Sequence, residues 1–258
     1  MLSATNHQFK TMESAQTTTG SSSISIDASK DAVLKSERLI AGIWDEKVVV
    51  ADIGGEAASQ FLYNLIQQIN AAETGVYSIN DVKLVSILPM EQHVRPSDEN
   101  YLPPEALWRG MAPHVALSDG YPILIASESS LAELNRRLLS NNKKEIPMSR
   151  FRPNIVVKGG EPFEEDTWKT IEIDGSIFHV VKGCPRCKQS CTDQVTGERS
   201  EEPLETMSEF RSFGEDGDVY FAQNVVMQDR RGKIHLGAKV RVITRGEPVW
   251  NREAAQPE

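Results

Sequence analysis

The chain has 258 residues, a formal net charge of −9 at pH 7 and three cysteines. The acidic excess argues against broad binding to nucleic acid or to anionic membranes, because both attract positive charge. Hydrophobic residues make up 39% of the sequence, and no apolar run is long enough for a membrane span. The cysteines are too few and too clustered for a secreted disulfide framework. We therefore predict an intracellular protein, cytoplasmic or mitochondrial, without a clear targeting signal.

Residues 1–37 differ in composition from the rest of the chain. Serine and threonine dominate this stretch, as in Thr17–Thr19 and Ser21–Ser23. So little apolar surface does not offset the entropy lost on ordering, and we predict a disordered tail. The tail also lacks the apolar segment of a signal peptide.

The next part of the chain alternates between short strands and one amphipathic helix. Val48–Ala51 is β-branched and predicts a strand. Apolar residues recur at helical spacing from Glu56 to Asn70, and Val82–Leu88 alternates like a strand. Residues 89–114 hold five prolines, and a connection of that length and composition is typical of a functional or disordered loop.

The second half of the chain is richer in strands. Ser127 is a good N-cap for a helix that carries leucines at helical spacing, and Asp174-Gly175 predicts a tight hairpin. The strands are predicted at Pro122–Ala126, Asn154–Lys158, Thr170–Ile173, Ile177–Val181, Val219–Met227 and Ile234–Ile243. We predict a mixed α/β protein: a mainly antiparallel β-barrel with flanking helices over 113–246, an incomplete α/β part over 38–112, and a tail over 247–258.

All three cysteines lie within eight residues, at Cys184, Cys187 and Cys191. The C-x-x-C spacing fits a zinc knuckle to which His179 or Cys191 would add ligands, but the sequence has no second ligand pair. A thioredoxin-type redox site requires the C-x-x-C to open a helix, whereas the residues after Cys187 are polar and turn-like. The plain alternative is that the cysteines pack within the sheet.

A further interpretation has one thiolate bound to a softer metal whose other ligands come from a cofactor. Arg186 and Lys188 flank Cys187, and nearby positive charge favours the thiolate form. Soft sulfur ligands suit redox metals in sulfur-rich coordination.

Two loops that precede predicted strands also carry side chains suited to ligand binding. Arg152 supplies a planar fork for phosphate, and Asn154 offers both a donor and an acceptor to a heterocycle edge. Taken alone, a surface charge and a turn residue explain this pair as well. Asp119-Gly120-Tyr121 likewise fits a plain turn.

Five segments occur in the order and spacing typical of the MOSC domain. They are Phe151–Val157, Glu164–Trp168, Cys184–Cys187, Thr196–Gly197 and Pro203–Thr206. From about Ile40 to Ile243 the chain resembles this family, in particular the mitochondrial amidoxime reducing component and its fungal and bacterial relatives.

The resemblance implies that the chain binds the molybdenum cofactor, molybdenum-molybdopterin, whose pterin dithiolene carries a phosphate. It implies Cys187 as both molybdenum ligand and catalytic residue, with Arg186 lining the cofactor site. The other cofactor-binding positions that it implies are Arg152, Asn154, Asp119, Gly120 and Tyr121.

The activity implied is two-electron reduction of N-hydroxylated compounds such as amidoximes. Electrons would come from a b-type cytochrome and an NADH-dependent flavin reductase. The alternative is a non-catalytic carrier of the cofactor or its sulfur, or a cofactor-sulfurase-like module. Sulfurases of this kind also bind pyridoxal phosphate through a separate domain, which we do not expect in this chain.

One departure from the family concerns the first residues. Family members begin with a strand and an arginine-rich segment that give Lys, Ser and Arg to the cofactor phosphate. Neither motif stands in this sequence, so we expect a chain shortened at its N terminus relative to the family. Fewer charge-assisted phosphate contacts predict weaker cofactor binding.

Overall fold

The computed structural model describes residues 2–5, 25–43, 46–72, 82–88, 95–108, 112–214, 217–229 and 232–251. The strands in these ranges are β1 Leu2–Thr5, β2 Arg38–Ile43, β3 Glu46–Asp52, β4 Val85–Ile87, β5 Arg95–Pro96, β6 His114–Val115, β7 Ile123–Ser127, β8 Ile155–Lys158, β9 Trp168–Ile173, β10 Ser176–Pro185, β11 Ser212–Phe213, β12 Asp218–Met227 and β13 Lys239–Arg245. The α-helices are α1 Lys30–Lys35, α2 Gly55–Ala72, α3 Glu128–Ser140 and α4 Leu204–Ser208. Short 3-10 helices lie at Glu99–Tyr101, Pro104–Ala106, Met148–Phe151, Glu164–Thr167 and Lys188–Cys191.

The chain divides into two compact units, Phe9–Arg95 and Met1–Gln8 with Pro96–Glu258. The first unit contains an antiparallel sheet in the order β2-β3-β4. Its middle strand and α2 confirm the strand and helix predicted from the sequence. The turn between them is fixed by Asp52, whose Oδ1 accepts from the backbone N–H of Gly54 (3.1 Å) and of Gly55 (2.8 Å).

The stretch predicted to be disordered contains two ordered elements. β1 belongs to the second unit, in which it pairs with β8 and β13. α1 begins after Ser29, whose side chain accepts from the N–H of Ala32. This cap satisfies a helix-end donor, a local effect that composition alone does not reveal. Residues 6–24 lie outside the described part of the chain.

The second unit is built on one eight-stranded sheet in the order β10-β9-β13-β1-β8-β7-β12-β11. β10 stands at one end of that order and also pairs with β12 near the other end, so the sheet is strongly curled. The sheet is mixed, because β7 and β8 run parallel while its other pairings are antiparallel. The mixed α/β class is confirmed, and the sheet is not purely antiparallel.

The hairpin at Asp174-Gly175 is confirmed, since β9 and β10 pair across it. The last strand begins later than the sequence predicts. β13 starts at Lys239 rather than Ile234, and it pairs with β9 and β1. Strand partners that are distant in sequence leave little local signal, which is why the alternation at 234–243 does not specify them.

In the described part of the second unit, buried apolar side chains form two large clusters, besides a smaller one around Tyr121. One lies within the curled sheet and includes Ile125, Ile171, Phe178 and Val225. The other joins α3 to the sheet through its own set of apolar residues, which are Ala126, Leu134, Leu138, Ile146, Met148, Phe151, Val156, Met207, Phe221 and Ala222. Helix α3 begins after Ser127, the predicted N-cap, whose hydroxyl accepts from the N–H of Ser129.

Among the described helices, none combines the length and the apolar character needed to cross a lipid bilayer.

Candidate functional site

The cysteine segment, Cys184–Cys191, begins at the irregular end of β10. The pairing of β10 with β12 shifts register twice, between Val180 and Lys182 and again between Gly183 and Pro185. Opposite this end, Ala222 adopts a left-handed backbone with a φ of 70°. Bulges bend a strand and redirect its side chains, and they are frequent beside functional sites. Here the irregularity bends the end of β10 just before Arg186 and Cys187.

Gly183 is required at this exit because the backbone of β10 lies against an indole ring. A Cβ on Gly183 would lie 2.5 Å from Cζ3 of Trp250. The N–H of Gly183 also donates to the carbonyl of Val249 at 2.9 Å. The segment after β13 therefore closes over the last residues of β10.

Arg186 ties the cysteine segment to two neighbouring elements. Its backbone N–H donates to the carbonyl of Val219 (2.8 Å), which extends the pairing with β12. Its Nη2 donates to the carbonyl of Phe151 (2.9 Å), and its Nη1 lies 3.0 Å from Sγ of Cys184. Its Nε is buried without a hydrogen-bond partner in the described structure. The guanidinium is thus fixed in place while its buried Nε donor is unused.

Cys187 is the exposed cysteine of the three. It immediately precedes the 3-10 helix Lys188–Cys191. The backbone N–H and the hydroxyl of Ser190 both donate to the carbonyl of Cys187, at 3.1 and 2.9 Å. A pinned turn therefore presents this thiol to solvent.

Arg150 and Asp193 also belong to this site, although neither stands in a motif that the sequence singles out. Arg150 is 9% exposed. Its Nη1 donates to the carbonyl of Ser190 (3.2 Å), and its Nη2 lies 3.4 Å from Oδ2 of Asp193. The signal available in the sequence is the position of Arg150 directly before the Phe151-Arg152 motif.

Asp193 organises the turn that follows the 3-10 helix. Its Oδ1 accepts from the backbone N–H of Val195 (2.8 Å) and of Thr196 (3.0 Å). These backbone hydrogen bonds lower the pKa of the Asp193 carboxyl below its ordinary value, and the bond from Thr196 has the largest effect. A carboxylate is therefore held opposite the buried guanidinium of Arg150.

The Phe151–Asn154 motif adjoins the site through the carbonyl of Phe151, which accepts from Arg186. The ring of Phe151 stacks on Phe221 with 3.8 Å between centroids. Arg152 follows with a left-handed backbone (φ 55°) and an exposed side chain. Oδ1 of Asn154 accepts from the N–H of Leu124 (2.8 Å), so this side chain also joins the motif to β7.

The Asp119-Gly120-Tyr121 loop is placed differently. Tyr121 is buried and packs with Ala106, Val181 and Val226. Its hydroxyl donates to the carbonyl of Asp98 (3.2 Å), and burial raises its pKa above the ordinary value. Tyr121 therefore has a structural role in the core. The cofactor contacts predicted for this loop remain predictions.

A cleft of about 460 Å³ opens beside Arg186. Its wall is formed by charged and apolar side chains, which include Arg186, Glu201, Leu204, Glu205, Asp218 and Val219. The Nζ of Lys143 pairs with Glu205 at 3.0 Å and neutralises part of this acidic wall. The volume lies in the range of small-molecule sites.

The remaining zinc-ligand candidates have other surroundings. Cys191 is buried, its Sγ lies 3.4 Å from the carbonyl of Glu201, and burial raises the pKa of its thiol. His179 is buried in β10 with Nε2 3.2 Å from Oε1 of Gln228. Within the described ranges, no group of three or more His, Cys, Asp and Glu side chains is arranged to hold a metal ion.

Comparison with known proteins identifies the family to which this fold and site belong. The MOSC domain profile matches residues 112–249. The chain belongs to the MOSC domain family.

Three similar relatives illustrate its range. The mitochondrial amidoxime reducing component 2 of Bos taurus is 43% identical over 98 residues, 38% of this chain and 28% of the relative. The protein of the same name from Macaca fascicularis is 34% identical over 164 residues, 62% of this chain and 42% of the relative. The molybdenum cofactor sulfurase of Arabidopsis thaliana is 35% identical over 113 residues, 41% of this chain and 14% of the relative. The chain thus matches less than half the length of each.

Proposed function

We propose that this MOSC protein binds the molybdenum cofactor, with the Cys187 thiolate as the molybdenum ligand. The observation that carries the proposal is the pinned, exposed thiol between the anchored Arg186 and the turn at Ser190. Cys191 is buried, and Cys184 lies against the guanidinium of Arg186. We further propose that the curled sheet is the MOSC β-barrel and that 113–246 is the cofactor-binding domain.

The donors around Cys187 fit the chemistry of this cofactor. A thiolate suits a metal already bound by dithiolene sulfur. Arg186 offers a buried, unused Nε, and the exposed guanidinium of Arg152 suits a phosphate. Asn154 can donate through its amide nitrogen, and the backbone of Asp119 and Gly120 would complete the pocket.

The reaction that we propose is the two-electron reduction of N-hydroxylated compounds of the amidoxime type. When bound, the cofactor would supply the metal centre for cleavage of the N–O bond, in which two electrons and two protons are taken up and the oxygen leaves as water. Cys187 would bind that centre, and Arg186 would orient it while holding positive charge near the reacting oxygen. The cleft beside Arg186 would hold a small organic substrate.

The electron donors in this proposal are a b-type cytochrome and an NADH-dependent flavin reductase. Support comes from the two relatives named as mitochondrial amidoxime reducing component 2. The same names favour a mitochondrial location, with the cytoplasm as the alternative.

A second candidate function is non-catalytic carriage of the cofactor or its sulfur. The similarity to a molybdenum cofactor sulfurase favours it. This candidate shares the cofactor site with the first and differs in turnover. Protein that holds molybdenum but reduces no benzamidoxime with the complete electron-transfer chain would support the carrier.

The test is elemental analysis of full-length protein from a host that makes molybdenum cofactor. We expect near-stoichiometric molybdenum in the wild type and its loss in Cys187→Ala. Gln189→Ala, an exposed change in the same 3-10 helix, is the matched control and should keep the metal. Molybdenum retained by folded Cys187→Ala contradicts the ligand assignment. A wild type that contains stoichiometric zinc instead of molybdenum favours the zinc interpretation.

A further inference from the structure

One short helix holds both flanks of Cys187. On the N-terminal side, the carbonyl of Phe151 accepts from Nη2 of Arg186 at 2.9 Å. On the C-terminal side, Nη1 of Arg150 donates to the carbonyl of Ser190 at 3.2 Å. Both anchors belong to the 3-10 helix Met148–Phe151. The thiol between them stays exposed while the backbone on each side is held.

The helix that supplies these anchors is itself fixed in the core. Met148 is 4% exposed and Phe151 is fully buried. The stacking of Phe151 on Phe221 joins the helix to β12. Close packing of this kind leaves few voids, so the helix has little freedom to move relative to β12. The two anchors therefore fix the position of Cys187 relative to the sheet.

Arg150 carries the unusual part of this arrangement. A buried cation is costly unless it is paired and hydrogen-bonded. Arg150 is paired with Asp193 at 3.4 Å, yet its Nε is buried without a partner in the described structure. An apolar side chain would fill the same volume without that cost. Retention of an incompletely satisfied guanidinium calls for a role beyond packing.

We propose that Arg150 is a positioning residue that fixes the Cys187 turn for metal ligation. This inference rests on the proposed role of Cys187. Arg150 touches neither metal nor substrate in the proposal. It acts through its contacts with the Ser190 carbonyl and with Asp193. Through these contacts its guanidinium joins the turn at Asp193 to the Met148–Phe151 helix.

The first test measures the turn in metal-free, full-length protein. Arg150→Met keeps most of the side-chain volume and removes the donors. We expect amide hydrogen exchange at Ser190 and Thr192 to accelerate on the order of tenfold or more, because local opening no longer breaks the charged hydrogen bonds. The amides of Ile125 and Val225, in the sheet, should exchange at the wild-type rate. Arg136→Ala, which removes an exposed arginine of α3, is the matched control.

The second test measures ligation in protein from a cofactor-making host. Folded Arg150→Met should contain several-fold less molybdenum than the wild type. Arg150→Lys retains one cationic donor and should restore part of the metal content. In the metal that remains, the electron paramagnetic resonance line shape of the reduced protein should change. A residue that serves only stability would leave that line shape as in the wild type.

The outcomes separate the two proposals. Unchanged exchange at Ser190 and Thr192 in Arg150→Met overturns the positioning role of Arg150, whatever the metal content. Faster exchange with full molybdenum and an unaltered line shape overturns its role in ligation. A wild type without molybdenum contradicts the proposed function, and the metal-free exchange result then supports or overturns only the hold of Arg150 on the Cys187 turn. If Arg150→Met does not fold, Asp193→Asn weakens the same pair and should give a smaller acceleration.

Discussion

Arg211 and Asp166 form a bidentate ion pair in the interior of the second unit. Nη1 of Arg211 lies 2.6 Å from Oδ2 of Asp166, and Nη2 lies 3.0 Å from Oδ1. Arg211 is 3% exposed and Asp166 is 8% exposed. Gln223 adds a hydrogen bond to Oδ1 (2.7 Å), and Nε of Arg211 donates to the carbonyl of Tyr220 (3.0 Å). This network joins the Glu164–Trp168 segment, which leads into β9, with strand β12.

Removal of one member of this pair should be strongly destabilising. Arg211→Met leaves the Asp166 carboxylate buried without its cation. We expect the free energy of unfolding to fall by about 3–5 kcal/mol, the range for a broken buried pair. Chemical denaturation followed by fluorescence measures the change.

The exposed pair on α3 provides the comparison. Arg136 reaches Glu133 at 2.7 Å but is 64% exposed, and solvent screens such surface pairs so strongly that they add little stability. Arg136→Ala should therefore change the stability little. Equal effects of Arg136→Ala and Arg211→Met would contradict the account of the buried network.

The sequence is sufficient where structure is set by neighbours along the chain. The N-cap at Ser127, the hairpin at Asp174-Gly175 and helix α2 are all local, and each follows from a few adjacent residues. The exposure of Cys187 is of the same kind, because the polar residues that follow it already indicate a turn at the surface.

Long-range partners are beyond the sequence. Nothing adjacent to Arg150 indicates that its guanidinium meets Asp193, 43 residues later. The same holds for Asp166 and Arg211, which are 45 residues apart. The sequence around Tyr121 predicts a plain turn, whereas burial by the segment at Ala106 gives this side chain a core position. Such contacts depend on which strands meet, and that is decided by the whole sheet.

Glu165 should make stability depend on pH. It is 1% exposed, and burial raises the pKa of its carboxyl from 4.5 to about 7. The folded state binds the proton of the Glu165 carboxyl more tightly than the unfolded state does. The protonated carboxyl therefore stabilises the fold at low pH. This stabilisation is lost as pH rises from the unfolded value through the folded one. The loss across that window amounts to about 3 kcal/mol.

Glu165→Gln removes the titrating group while retaining an acceptor for the hydroxyl of Ser130, which donates to Oε1 at 2.6 Å in the wild type. The unfolding free energy should be measured at about pH 5, 6 and 8 for both proteins. We expect the wild type to lose stability relative to the variant as pH rises. A difference between them that does not vary with pH would contradict the buried, protonated carboxyl.

The three thiols should react with an alkylating agent in the order of their exposure. Cys187 is exposed, Cys184 is half-buried, and Cys191 is buried with a raised thiol pKa. Iodoacetamide should therefore label Cys187 first and Cys191 last in the folded, metal-free protein, in which no molybdenum shields the Cys187 thiol. Peptide mass spectrometry after timed quenching gives the three rates. Denatured protein is the control, in which the rates should converge.

Gly183 tests the close approach between β10 and the segment after β13. A Cβ on Gly183 would meet Trp250 Cζ3 at 2.5 Å and Tyr220 Cδ1 at 3.0 Å. Gly183→Ala should destabilise the protein by about 1–3 kcal/mol through overpacking. Trp250→Ala removes the obstacle, so the same glycine change made in that background should cost less. Gly42→Ala is the matched strand control, because no atom lies within 4 Å of its added Cβ. Thermal or chemical denaturation of the five proteins, wild type included, checks the prediction, and an undiminished cost of Gly183→Ala in the Trp250→Ala background would contradict it.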